Sequence, residues 1–119
     1  GKEAKKVSKN LGLSVGQGSK LALQMGTAAT KAKLYGGSVE DVGQAVEALA
    51  AESGSLNNLT QAAIDNTTKL SVRYGLGADK AAKLNKVLQD VIMSAWDEKD
   101  DMMADAIKLK VKAALEEAK

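Results

Sequence analysis

Residues 10–21 read NLGLSVGQGSKL, and the fold class follows from how that stretch is taken. A helix ends at Leu11, Gly12 supplies the left-handed residue that ends it, and Leu13 can fold back on the finished turn. Ser14 then offers a hydroxyl to the free N–H groups of a new helix beginning at Val15. One helix stops and another starts within four residues. The same grammar recurs at LYGGS (34–38), ESGSL (52–56) and RYGLG (73–77). Gly36 or Gly37, Gly54 and Gly75 are expected to turn the chain, with Ser38 and Ser55 as N-caps and Gly77 as a weaker one. With eleven Gly and no Pro, glycine alone does the punctuation.

Residues 73–84, RYGLGADKAAKL, align with the first stretch: Tyr74 falls on Leu11, Gly75 on Gly12, Leu76 on Leu13, Lys83 on Lys20 and Leu84 on Leu21. The match fades beyond Leu21. A duplicated unit is one explanation, and a recurring joint followed by a helix start is the plainer one.

Between joints the apolar spacing is helical. Val15, Gly18, Leu21, Met25, Ala28, Ala32 and Tyr35 alternate steps of three and four, as do Val39, Val42, Val46 and Leu49. Ala81, Leu84, Leu88, Val91 and Ala95 form a third stripe, and Met103, Ile107, Val111, Ala114 and Ala118 a fourth. Residues 56–74 are the weakest segment, because Asn66, Thr67 and Thr68 interrupt the stripe, and an irregular helix is expected there. No run alternates as a strand would. The sequence therefore predicts a single all-α domain over 1–119, a bundle of five to six helices joined by Gly/Ser turns.

After Trp96 comes DEKDD (97–101), which is either a polar turn or an exposed part of one helix from Ala78 to the end of the chain. Every residue there tolerates a helix, so continuity is preferred. Such a helix would be about 60 Å long. Residues 98–119 would then project, leaving Met103, Ile107, Val111, Ala114 and Ala118 as an apolar association surface for a second copy or another protein.

Chemistry is narrowly bounded. Absence of Cys and His removes thiol nucleophiles, zinc-thiolate sites and the usual general base. No spacing links a nucleophile to a base, so no enzyme, cofactor or small-molecule substrate is expected. The net charge of +2 balances 17 basic against 15 acidic residues, and nucleic-acid binding is expected to be weak and unspecific. No segment is apolar enough to span a membrane, and GKEAKKVSKN does not open a secretory signal. GLSVGQGSK (12–20) lacks the strand and the Lys-Ser/Thr ending of a phosphate loop. Gly18, Ala22 and Gly26 are better taken as a groove for close helix packing. Asp97, Asp101 and Asp105 are read as a solvated face, because a cation needs more oxygens than three. Lys2, Lys5, Lys6 and Lys9 are read as a frayed basic terminus, and Trp96, Met93, Met102 and Met103 as core ahead of a partner surface.

The Leu-Gly-Leu-Ser helix start, the Ala-rich helix after it and the Gly-Gly-Ser-Val-Glu-Asp that opens the next resemble segments of bacteriophage tail tape-measure and related internal virion proteins, over about residues 9–90. The resemblance implies a non-enzymatic helical component of a phage particle, located in the virion and associating with itself or with other virion proteins. Such proteins are far longer than 119 residues, which implies a fragment or a smaller relative. It brings no catalytic residue. The alternative is a cytoplasmic helical interaction or regulatory module of cellular origin, with weak nucleic-acid binding.

Overall fold

The computed structural model of the chain describes residues 1–93 and 95–118. Among the described residues there are six α-helices, two short 3-10 turns and no strand. The helices are α1 (Lys2–Leu11), α2 (Val15–Ala32), α3 (Val39–Ser53), α4 (Gln61–Val72), α5 (Ala78–Val87) and α6 (Asp105–Ala118). The 3-10 turns are Lys33–Tyr35 and Leu56–Asn58.

At the first joint Gly12 has φ 66°, its N–H reaches the Lys9 carbonyl, and Leu13 N–H reaches the Ser8 carbonyl at 3.0 Å, the double bond of a left-handed helix stop. Ser14 and Gln17 then cap α2 reciprocally, side chain to backbone in both directions. Ser38 and Asp41 repeat the device at α3, after Gly36 at φ 82°. Gly37 beside it has an ordinary φ. Gly54 and Gly75 stand at φ 64° and 69°. The third joint departs from expectation. Ser55 caps only the 3-10 turn, through Asn57 N–H, and Thr60 caps α4 through Ala63 N–H at 3.1 Å. One 3-10 turn therefore separates α3 from α4.

Two apolar clusters form. The first joins Val7 of α1, Leu21, Met25 and Ala28 of α2, Val42, Val46 and Leu49 of α3, and Ile64 of α4. The second gathers Leu70, Ala81, Leu84, Leu88, Val91, Met93, Trp96, Val111 and Ala114. Helix α4 belongs to both and packs against α2, α3 and α5. Its middle, Asp65–Asn66–Thr67–Thr68, is buried and regular, where an irregular helix was expected. These polar residues fit because most of their groups are satisfied: Asp65 by Lys31 at 2.6 Å and Gln61 at 2.8 Å, Thr68 by the Ile64 carbonyl at 2.8 Å.

Asn66 corrects the largest sequence expectation. Its Nδ2 donates to the Val91 carbonyl at 3.0 Å and its Oδ1 accepts from Met93 N–H at 2.9 Å, all in the interior. A backbone whose 91 and 93 groups are taken by a side chain is drawn out of an α-helical ladder. Helix α5 accordingly ends at Val87, and the chain runs through successive turns to residue 104. Asp97 and Asp100 close turns on Lys99 N–H and Met102 N–H at 2.9 and 2.8 Å, local bonds that compete with a helix. The expected helix from 78 onward is thus two helices, of 10 and 14 residues; residue 119, its expected end, lies outside the described residues.

Nor do residues 98–118 project. The longest dimension is 43 Å, short of the helix of about 60 Å that continuity would have made. The radius of gyration, 13.9 Å, is near the roughly 13.5 Å of a closed domain of this length. Helix α6 doubles back, burying Val111 and Ala114 in the second cluster, with Met103 and Ala118 packed beside them. The stripe expected to await a partner is largely covered by its own chain. The N-terminus is also ordered, not frayed: α1 packs on α2 and α3 through buried Ala4 and Val7.

Candidate functional site

The chain contains three aromatic residues, Tyr35, Tyr74 and Trp96, and all three line one groove of about 830 Å³. Each comes from a chain reversal. Tyr35 ends the 3-10 turn that closes α2, Tyr74 follows the last turn of α4, and Trp96 lies in the irregular stretch that Asn66 pulls out of α5. Lys31 and Leu34 near the end of α2, Lys69 and Arg73 near the end of α4, and Ala95, Asp97, Glu98 and Lys99 complete the lining.

The aromatic floor is tilted. The Tyr74 and Trp96 rings lie 5.9 Å apart, centroid to centroid, at 59°, a favourable edge-to-face class of contact. The Arg73 guanidinium stands 5.8 Å from the Tyr74 ring centre, within cation–π range. Trp96 is 5% exposed, and its indole N–H is enclosed without an acceptor among the described residues. Leu34, by contrast, is 89% exposed at the rim.

The charges differ in how far they are satisfied. Lys31 pairs with buried Asp65 at 2.6 Å. Lys69 donates to the Trp96 carbonyl at 3.1 Å, which ties α4 to the loop. Burial lowers the Lys69 pKa, the neighbouring Arg73 charge lowers it further, and Asp97 acts in the opposite direction. Burial likewise pushes the Tyr35 phenol up to about 12, with help from Asp65 and Asp41. The Tyr74 phenol is also raised, by burial first and by Glu98 and Asp97, against the pull of Arg73. The groove is thus partly desolvated and of mixed charge.

A second groove, about 540 Å³, runs between α3, α4 and α5 and includes Leu49, Asn66, Asn85 and the Glu52–Lys86 pair at 3.6 Å. It holds no aromatic side chain.

Of the residues singled out in sequence, Gly12, Ser14, Gly36, Gly37, Ser38, Gly54, Ser55 and Gly75 all lie at chain reversals and none lines the aromatic groove. Gly18 faces Ser8 of α1, whereas Gly26 opens to solvent, so the small-residue groove is only half used for packing. In the C-terminal stripe, Ile107 alone is exposed, at 37%. Asp97, Asp101 and Asp105 share no helical face, since only Asp105 is helical, and no metal-holding group of three acidic side chains occurs among the described residues. Among the described residues no helix is long and apolar enough to cross a membrane.

Lys31, Tyr35, Lys69, Arg73 and Tyr74 were not legible as a site. The available signal was scarcity alone, because the chain has only three aromatic residues and the helical stripes place Tyr35 and Trp96 on helices. Compared with protein-family models, curated proteins and solved structures, the chain matches none.

Proposed function

We propose that this protein is a non-enzymatic helical module that works by association, docking a segment of another protein in the groove of Tyr35, Tyr74 and Trp96. The observation that carries this reading is the convergence of every aromatic side chain, an arginine and a fully presented leucine on one concavity. Tyr, Trp and Arg are the residue types that dominate binding energy at protein interfaces, where they fill desolvated pockets. A groove of 830 Å³ suits a short segment with one or two anchoring side chains. The setting proposed for this association is a phage particle, and the support for that is the resemblance of residues 9–90 to tape-measure proteins. Because α6 covers most of its own stripe, the partner does not dock there.

Trp96 is the sole tryptophan, so its fluorescence reports on this groove alone. Peptides selected against the intact chain by display are expected to shift Trp96 emission saturably. Leu34→Asp, at an exposed rim position, is expected to weaken them about tenfold, equivalent to about 1.4 kcal/mol. Selected peptides that leave Trp96 emission unchanged and bind Leu34→Asp equally well would overturn the reading.

A further inference from the structure

We propose that the segment docked in the aromatic groove is acidic, placing one carboxylate between Lys69 and Arg73 and an adjacent apolar side chain against Leu34, Tyr35 and Tyr74. This rests on the docking function proposed above and names the chemistry of the partner. Lys69 lies in the last turn of α4 and Arg73, four residues on, is its C-cap in helical conformation, so the two side chains leave the same face. Among the described residues, neither forms an ion pair with a carboxylate: the pairs are Lys31–Asp65, Lys86–Glu52 and Lys110–Asp90. Lys69 instead spends a donor on the Trp96 carbonyl, and Arg73 lies over the Tyr74 ring. Two like charges are therefore held together beside a half-buried wall, an arrangement that a single anion stabilises by cancelling their repulsion. Burial chiefly lowers the Lys69 pKa, and the Arg73 charge lowers it further against the opposing effect of Asp97.

The rest of the groove selects against a polyanion. Lys31 is already neutralised by Asp65, and Asp97 already acts on Lys69, so the positive charge left over is enough for one carboxylate and not for a run of phosphates. Asp97 Oδ1 is engaged by Lys99 N–H at 2.9 Å, in a turn of its own. Trp96 is too enclosed to offer a ring face for base stacking. One carboxylate flanked by apolar side chains matches the site, and a nucleic acid does not.

The test uses the display-selected peptides, each synthesised in its selected form and with every Asp and Glu changed to Asn and Gln, titrated against the intact chain by Trp96 fluorescence. The acidic forms are expected to bind at least about tenfold tighter than the amides. Arg73→Gln is expected to remove that difference while amide-form binding persists, and Arg73→Lys to restore part of it. Lys69→Gln serves as a second variant, with thermal unfolding to show that the loop at Trp96 still docks. Equal binding of acid and amide forms would overturn the inference and leave the docking function standing. A selected set that never perturbs Trp96 would overturn the docking function itself. A ten-nucleotide oligothymidylate that perturbs Trp96 and binds more tightly than every acidic peptide would overturn the choice of a protein partner.

Discussion

Replacing Asn66 by Ala should cost this protein a large part of its stability, and the reason is confined to two hydrogen bonds. Both partners, the Val91 carbonyl and the Met93 N–H, are main-chain groups in the interior, and among the described residues neither has another hydrogen-bond partner once the amide is gone. A buried main-chain group left unpaired costs about 1–3 kcal/mol, so the pair costs roughly 2–6 kcal/mol. Ala is the better helix former by about half a kcal/mol, which offsets a little. A net loss of about 3 kcal/mol is expected, against a total of about 5–15 kcal/mol for a domain. Urea unfolding measures it, provided the slope of the transition is unchanged. Hydrogen exchange supplies the location: Met93 N–H and the α6 amides should lose protection before those of α2 and α3. A loss below about 1 kcal/mol, or unchanged protection at Met93, would refute the reasoning.

An Asp at the same position sharpens the test. Its carboxylate accepts from Met93 N–H but faces the Val91 carbonyl with no donor, whereas the protonated acid provides one. Burial and the carbonyl therefore raise the folded-state pKa of the new group. A raised pKa stabilises the fold below the unfolded value and loses that contribution as pH climbs through the folded one. Asn66→Asp should thus be more stable in mild acid than at neutrality, relative to the parent chain.

Three further outcomes are expected. Gly75→Val, at φ 69°, should destabilise by about 1 kcal/mol or more in urea unfolding, because a β-branched residue resists that conformation. Gly26→Ala should stabilise by about 0.5–1 kcal/mol in the same assay, since the position is helical, exposed and open to a methyl group. The Tyr35 phenol, pushed up to about 12, should ionise later than a free tyrosine when phenolate absorbance is followed; stability from its neutral form is present below about pH 10 and lost as pH rises through about 12. Tyr35→Phe should delete that late step.

The joints were legible in the sequence because their chemistry is local. A left-handed Gly, a Ser hydroxyl and an acceptor three residues on fix Gly12–Gln17 and Gly36–Asp41 without help from the rest of the chain. Distance in sequence explains what was not legible. Nothing in DEKDD or its neighbours forbids a helix; the interruption comes from an amide 25 residues before Val91 and 27 before Met93. The Asn-Thr-Thr run looked like damage to an apolar stripe partly for the same reason: the partners of Asn66 lie at residues 91 and 93, while Thr68 turns its hydroxyl back on the Ile64 carbonyl of its own helix. The C-terminal stripe was legible as apolar, but its periodicity could not say that the covering surface would be α5 and the 88–96 turns of the same chain. The groove was the least legible feature, because three reversals had to be placed in space before the aromatics met.

Helix α4 therefore does two things at once, and this couples the groove to the closure of the C-terminal region. Asn66 holds residues 91 and 93, which sets where Trp96 falls; one turn further along, Lys69 takes the Trp96 carbonyl, and Arg73 reaches Tyr74. Release of the 88–104 turns would dismantle the Trp96 wall and uncover the second cluster together. A ligand that needs the assembled wall binds the closed form alone, so it must stabilise α6 docking by an amount set by its concentration over its dissociation constant, about 2.7 kcal/mol at a hundredfold excess. Occupancy of the groove would then appear as slower exchange of the α6 amides, although α6 contributes no residue to the groove lining.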